Sequence, residues 1–141
     1  MTDEVIIDSS VWIHSLKSSA ESVIHQRIIE LILDDKVVTL PIIRMELLGG
    51  TRSVREFDRL NARLSGLKYL NLSRKIWEVA TKWAFEIRRA GFTVPNGDLL
   101  IAAAAEVHDL NLIHADKHFD IIDKQFGLKS ENLTDIINDD V

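Results

Sequence analysis

Two periodicities alternate along the chain. Short apolar runs, "EVII" at 4–7 and the β-branched "KVVTL" at 36–40, have the length and composition of buried strands; "NLIHA" at 111–115 is a further one and "KYLNL" at 68–72 a weaker one. The segments between them repeat at helical spacing. Residues 18–35 place Val23, Ile24, Ile28, Leu31 and Ile32 on one stripe, and "PIIRMELL" opens on a proline suited to a first helical turn and stops at Gly49 and Gly50. Residues 52–64 form a polar helix with Val54, Phe57, Leu60 and Leu64 down one side. In "SRKIWEVATKWAFEIRRAG" the stripe is Ile76, Val79, Ala80, Trp83, Ala84 and Ile87, with both tryptophans expected in the core and Gly91 as the stop. "NGDLLIAAAAEVHD" differs, because Leu99 to Ala105 is apolar on every face and describes a helix buried on most sides. The remainder reads as a short helix, "DKHFDIIDKQFGL", and a polar tail, "SENLTDIINDD".

Strands alternating with helices imply an α/β fold of three layers, with a central, mainly parallel sheet of four or five strands. Residues 1–141, with 46% hydrophobic positions, suffice for one domain with its own core. The chain has no cysteine, which excludes disulfides, thiolate metal sites and thiol nucleophiles. "MTDEVIID" carries acids where a signal peptide carries bases, and no run approaches a membrane span, so a cytoplasmic protein is expected. A net charge of -5 offers no general attraction to nucleic acid, so any polyanion must be met by a local basic surface or by bound cations.

In parallel sheets the functional crevice lies at the carboxyl ends of the strands. Asp8 directly follows "VII" and Asp116 follows "NLIHA"; Glu46 lies on the helix after "KVVTL", within roughly 10 Å of the same edge by helical rise. Asp98 sits in the first turn of the alanine-rich helix. Singly, each has a plain structural explanation: Asp8 as an N-cap, Asp98 as a complement to a helix dipole, Glu46 and Asp116 as solvated charges. Together they change meaning, because clustered carboxylates repel unless a cation compensates, and Mg²⁺ or Mn²⁺ takes oxygen ligands while leaving room for phosphate oxygens.

The ordered set "VIIDSSVWI", "PIIRMELL", "NGDLLIAAAA" and "LIHADKHFDII" resembles the PIN-domain ribonucleases, and among them the VapC-type toxins of toxin–antitoxin pairs. The resemblance runs from Val5 to about Ile122. It implies a PIN-like fold and a Mg²⁺- or Mn²⁺-dependent endoribonuclease in which Asp8, Glu46, Asp98 and Asp116 are the acidic catalytic and metal-binding residues, accompanied by the hydroxyl of Ser10. It further implies a homodimer and a cognate antitoxin whose C-terminal segment wraps the toxin. The helices rich in arginine and the tail residues Leu133, Ile136 and Ile137 are candidate dimer surfaces.

Other groups carry weaker signals. Asp120 is a possible auxiliary ligand for which solvent exposure is the simpler expectation. His114 and His118 flank Asp116, but a zinc site lacks a third nitrogen or sulfur donor. Ser9 and Ser10 have no histidine placed to activate them and read as capping or supporting groups. Arg44, Arg55 and Arg59, with Arg52 and Arg63, form either a solvated face or a ridge for RNA phosphates or an acidic antitoxin. A phosphatase with an aspartate nucleophile would carry a second aspartate where Ser10 stands. A PIN-like scaffold that binds protein or RNA without cleaving is the alternative function.

Overall fold

The computed structural model describes residues 3–140. Five strands, β1 (Val5–Ile7), β2 (Val37–Thr39), β3 (Lys68–Tyr69), β4 (Asn111–His114) and β5 (Ser130–Asn132), form one sheet in the order β3-β2-β1-β4-β5. Every pairing is parallel. Parallel neighbours need crossovers, and helices supply them: α1 (Ser9–Lys17), α2 (Val23–Leu33), α3 (Pro41–Gly49), α4 (Val54–Ser65), α5 (Arg74–Arg89), α6 (Asn96–Val107) and α7 (Lys117–Phe126), with α8 (Thr134–Asp139) closing the chain. This is the α/β/α architecture expected from the alternation of periods.

The centre of the sheet is the most apolar part. β1 and β2 are buried throughout, as befits strands covered on both faces. Leu99 to Ala105 of α6 are all buried, and α6 packs between α5 and α7. Small side chains allow that close approach: a Cβ added at Gly97 would stand 3.2 Å from the Ile42 side chain, so glycine lets the start of α6 lie against α3. Among the described residues no helix is long and apolar enough to cross a membrane.

Four expectations need correction. The helix expected within residues 18–35 starts later, at Val23: α1 ends at Lys17, Ser18 Oγ turns back to the His14 carbonyl, and Ser22 caps α2 by accepting from the His25 N–H. The polar tail contains β5, an edge strand paired with β4 and tied to α2 by a two-pronged Arg27–Glu131 ion pair at 2.6 and 2.7 Å. Trp77 is half-exposed and only Trp83 of α5 is buried, because Trp77 falls one position off the Ile76–Ala80–Trp83–Ile87 stripe. Leu133 cannot serve a dimer surface, since it is buried in the core; Ile137 packs against the core and Ile136 is exposed.

The stripes on α2 and α4 are also only partly covered. Val23, Ile32, Val54 and Phe57 are exposed. With Trp12, Ile28, Ile29, Leu60, Leu64 and Leu67, Ile32 lines an open apolar groove of about 410 Å³ between α1, α2 and α4.

Candidate active site

The sheet order reverses between β1 and β4, since the chain winds outward through β2 and β3 on one side and through β5 on the other. Such a switch point opens a crevice at the carboxyl ends of the two strands. Asp8 and Asp116 leave β1 and β4 at that crevice. Asp8 N–H donates to the Ile113 carbonyl at 2.9 Å, which locks the end of β1 onto β4.

Asp8 is buried, and its Oδ2 accepts from the Ser10 N–H at 3.1 Å and the Ser10 hydroxyl at 2.5 Å. It is therefore the N-cap of α1. Capping occupies Oδ2, and Oδ1 makes no hydrogen bond among the described residues. Ser10 Oγ in turn accepts from the Ala115 N–H at 3.2 Å, so one hydroxyl holds the first aspartate against the segment that delivers the last. Asp116 repeats the device by capping α7: its Oδ1 accepts from the His118 N–H at 2.9 Å. His114, buried at the end of β4, packs its ring on Phe119 at 4.9 Å and accepts the Asp116 N–H on Nδ1 at 3.2 Å. Burial holds its pKa below the ordinary histidine value, which favours the neutral ring that this acceptor role requires.

Asp98 enters from the first turn of α6 and Glu46 from α3. Glu46 Oε2 accepts from Ser9 Oγ at 3.3 Å. Partial burial of the Glu46 carboxyl first, then the charge of Asp8, raises its pKa, with Asp116 adding to the effect. Asp98 is pushed up to about 7, by burial first and then by Asp116 and Asp8; Glu46 adds to the rise and His118 opposes it. The four acids named from sequence thus lie close enough to perturb one another, which is the charge excess that a cation would relieve.

One member of the cluster was set aside in the sequence. His118 Nδ1 lies 3.2 Å from Asp98 Oδ2 and 3.0 Å from Asp116 Oδ1. Those three residues bring ligand atoms within 4.8 Å of one another. Nδ1 is buried and makes no hydrogen bond among the described residues, so it is an orphaned polar atom facing two carboxylates. The available signal was position: a residue two places after a capping aspartate returns to the cap. Partly buried carboxylates around an unpaired nitrogen form a donor set that fits a divalent cation.

The remaining candidates lie apart. Asp120 is exposed and accepts from Asn132 Nδ2 at 2.9 Å. His114 Nδ1 is taken by the Asp116 N–H, and the ligand atoms that gather with those of His118 among the described residues are from Asp98 and Asp116 rather than His114. Arg44 is half-buried and donates to Asn61 Oδ1, bracing α3 against α4. Arg55 and Arg59 are exposed on α4.

The PIN domain family model matches residues 5–125. The chain belongs to the PIN-domain family. Ribonuclease VapC11 of Mycobacterium tuberculosis is 28% identical over 130 residues, covering 89% of this chain and 96% of the relative. Among solved structures, this PIN domain resembles VapBC2 of Rickettsia felis bound to a promoter DNA fragment, with a TM-score of 0.76 at 18% identity over 91% of this chain and 97% of that one. VapBC-1 of nontypeable Haemophilus influenzae gives a TM-score of 0.75 at 24% identity, covering 92% and 98%. At those identities the likeness shows a shared fold.

Proposed function

We propose that this PIN-domain chain is a Mg²⁺- or Mn²⁺-dependent endoribonuclease, the toxin of a type II toxin–antitoxin pair, working in the cytoplasm. The observation that carries the reading is the convergence of Asp8, Glu46, Asp98 and Asp116 at the β1–β4 switch point, with two of them also fixed as helix caps. The VapC relatives supply the substrate class and the VapBC complexes the kind of partner.

Asp8, Asp98 and Asp116 are the residues that would hold the cation, and Glu46 would bind a second ion or orient the attacking water. A divalent cation bound there supplies positive charge that neutralises phosphoryl oxygens and acidifies water. The chain's own part is positional. Ser10 and the Asp8 N–H keep Asp8 from turning away, and the Asp116 cap does the same on the other strand. The raised pKa of Glu46 suits a group that takes a proton from water and passes it on. Exposed Arg55 and Arg59 offer charge to the flanking phosphates or to acidic groups of the antitoxin. The open groove between α1, α2 and α4 offers an apolar seat for the antitoxin segment. A homodimer surface is better sought on the outer face of α5, where Trp77 and Phe85 are exposed, than in the tail.

The test is cleavage of a panel of structured RNAs by antitoxin-free protein with Mg²⁺, Mn²⁺ or chelator, beside Asp8→Asn. Cleavage should require the metal and fall about 100-fold or more in the variant. Activity in chelator, or an unimpaired Asp8→Asn, would sink the mechanism.

A further inference from the structure

We propose that His118 is a metal ligand, its Nδ1 joining Asp98 and Asp116 in a mixed nitrogen–oxygen site that favours Mn²⁺ over Mg²⁺. The inference rests on the metal-dependent reading above and goes beyond it by adding a nitrogen donor to a set of acids. Three observations support it. The Nδ1 atom is buried and lacks any hydrogen-bond partner among the described residues, although a lone polar atom in such a place is costly unless something binds it. Its two carboxylate neighbours stand at 3.0 and 3.2 Å. For an ion with bonds of about 2.1 Å, adjacent ligands of an octahedron are separated by about 3.0 Å.

The fold also holds the ring in place. The His118 N–H is fixed by Asp116 Oδ1 at 2.9 Å in the first turn of α7. One carboxylate therefore sets the backbone of the residue whose side chain shares its site. Mn²⁺ and Mg²⁺ both take oxygen ligands, but Mn²⁺ belongs to the transition series whose affinity extends to nitrogen donors, whereas Mg²⁺ is confined to hard oxygen sites. One imidazole among the acids therefore shifts the preference toward Mn²⁺.

The experiment is electron spin-echo envelope modulation of Mn²⁺ bound to the full chain, with natural-abundance and ¹⁵N-histidine protein, alongside titrations of Mn²⁺ and Mg²⁺ by calorimetry. Wild type should show a directly bound histidine nitrogen that changes with the label. His118→Gln should lose it, with Mn²⁺ affinity falling about 10-fold or more and Mg²⁺ affinity falling less. His118→Asn serves the same purpose if the glutamine variant does not fold. Mn²⁺ binding without a histidine nitrogen overturns this inference, making His118 a counter-ion only, and leaves the metal-dependent reading intact. Absence of Mn²⁺ and Mg²⁺ binding overturns both. An unchanged Mn²⁺-to-Mg²⁺ preference in a folded His118 variant overturns the selectivity.

Discussion

Neutralising Asp98 should stabilise the metal-free protein, by an amount that grows from about pH 4 and is full only at neutral or higher pH. Burial and the charges of Asp116 and Asp8 push its carboxyl to about 7 from an ordinary 3.8. The folded chain therefore holds this proton more tightly than the unfolded chain does. Stability is lost as pH rises from about 4 to 7, and the loss is complete above pH 7. A rise of roughly three pKa units corresponds to about 4 kcal/mol. The group is partly open to solvent, and screening brings the expected penalty to about 2 kcal/mol. Asp98→Asn keeps the shape and removes the charge. In chelator at pH 8 it should raise the denaturation midpoint by about 6 °C; at pH 4.5 the gain should shrink to about a quarter of that. Circular-dichroism melts of both proteins at the two pH values make the comparison. Added Mn²⁺ or Mg²⁺ should then reverse the order, since a ligand at about 100 times its dissociation constant stabilises wild type by about 2.7 kcal/mol and the variant binds it poorly. A variant destabilised equally at both pH values would refute the reasoning and make Asp98 an ordinary structural group.

Two further outcomes follow from features away from the cluster. Asp140 accepts from the Ser22 hydroxyl, the Val23 N–H at 3.2 Å and His14 Nε2 at 2.9 Å, fastening the tail across the α1–α2 junction. Those bonds, led by Ser22, hold its pKa down to about 2, so its contribution is in place above the ordinary carboxylate range and is lost as pH falls through about 2. Asp140→Ala should therefore lower the melting temperature at pH 5 to 8, and the gap to wild type should close in strong acid. The homodimer proposed above puts its contact on α5, so Trp77→Glu with Phe85→Glu should sediment as a monomer where wild type sediments as a dimer, at a nearly unchanged melting temperature because both side chains face solvent; a wild-type monomer or a variant dimer would refute that placement.

The parts of the fold legible in the sequence are those where burial alone dictates composition. β1 and the interior of α6 are uninterrupted apolar runs, and β2 is broken only by Thr39, because they are covered on every side. β5 reads "SEN" and is no strand by composition; pairing with β4 and the Arg27–Glu131 bridge make it one, and neither is local. α1 was hidden for a related reason, since its start is specified by the Asp8 cap rather than by an apolar stripe. The same overlap governs the candidate site. Cap and cation site looked like competing explanations of Asp8, yet a carboxylate has two oxygens, and the cap uses Oδ2 while Oδ1 stays available. Asp116 also caps a helix, and its cap brings the His118 N–H, and with it the ring, beside Asp98. Residue type therefore identified the acids, whereas the nitrogen among them became visible only once the turn of the α7 N-terminus was known. A histidine two places after an aspartate is ordinary in sequence; a buried Nδ1 without a partner, facing two carboxylates, is a chemical requirement still to be met.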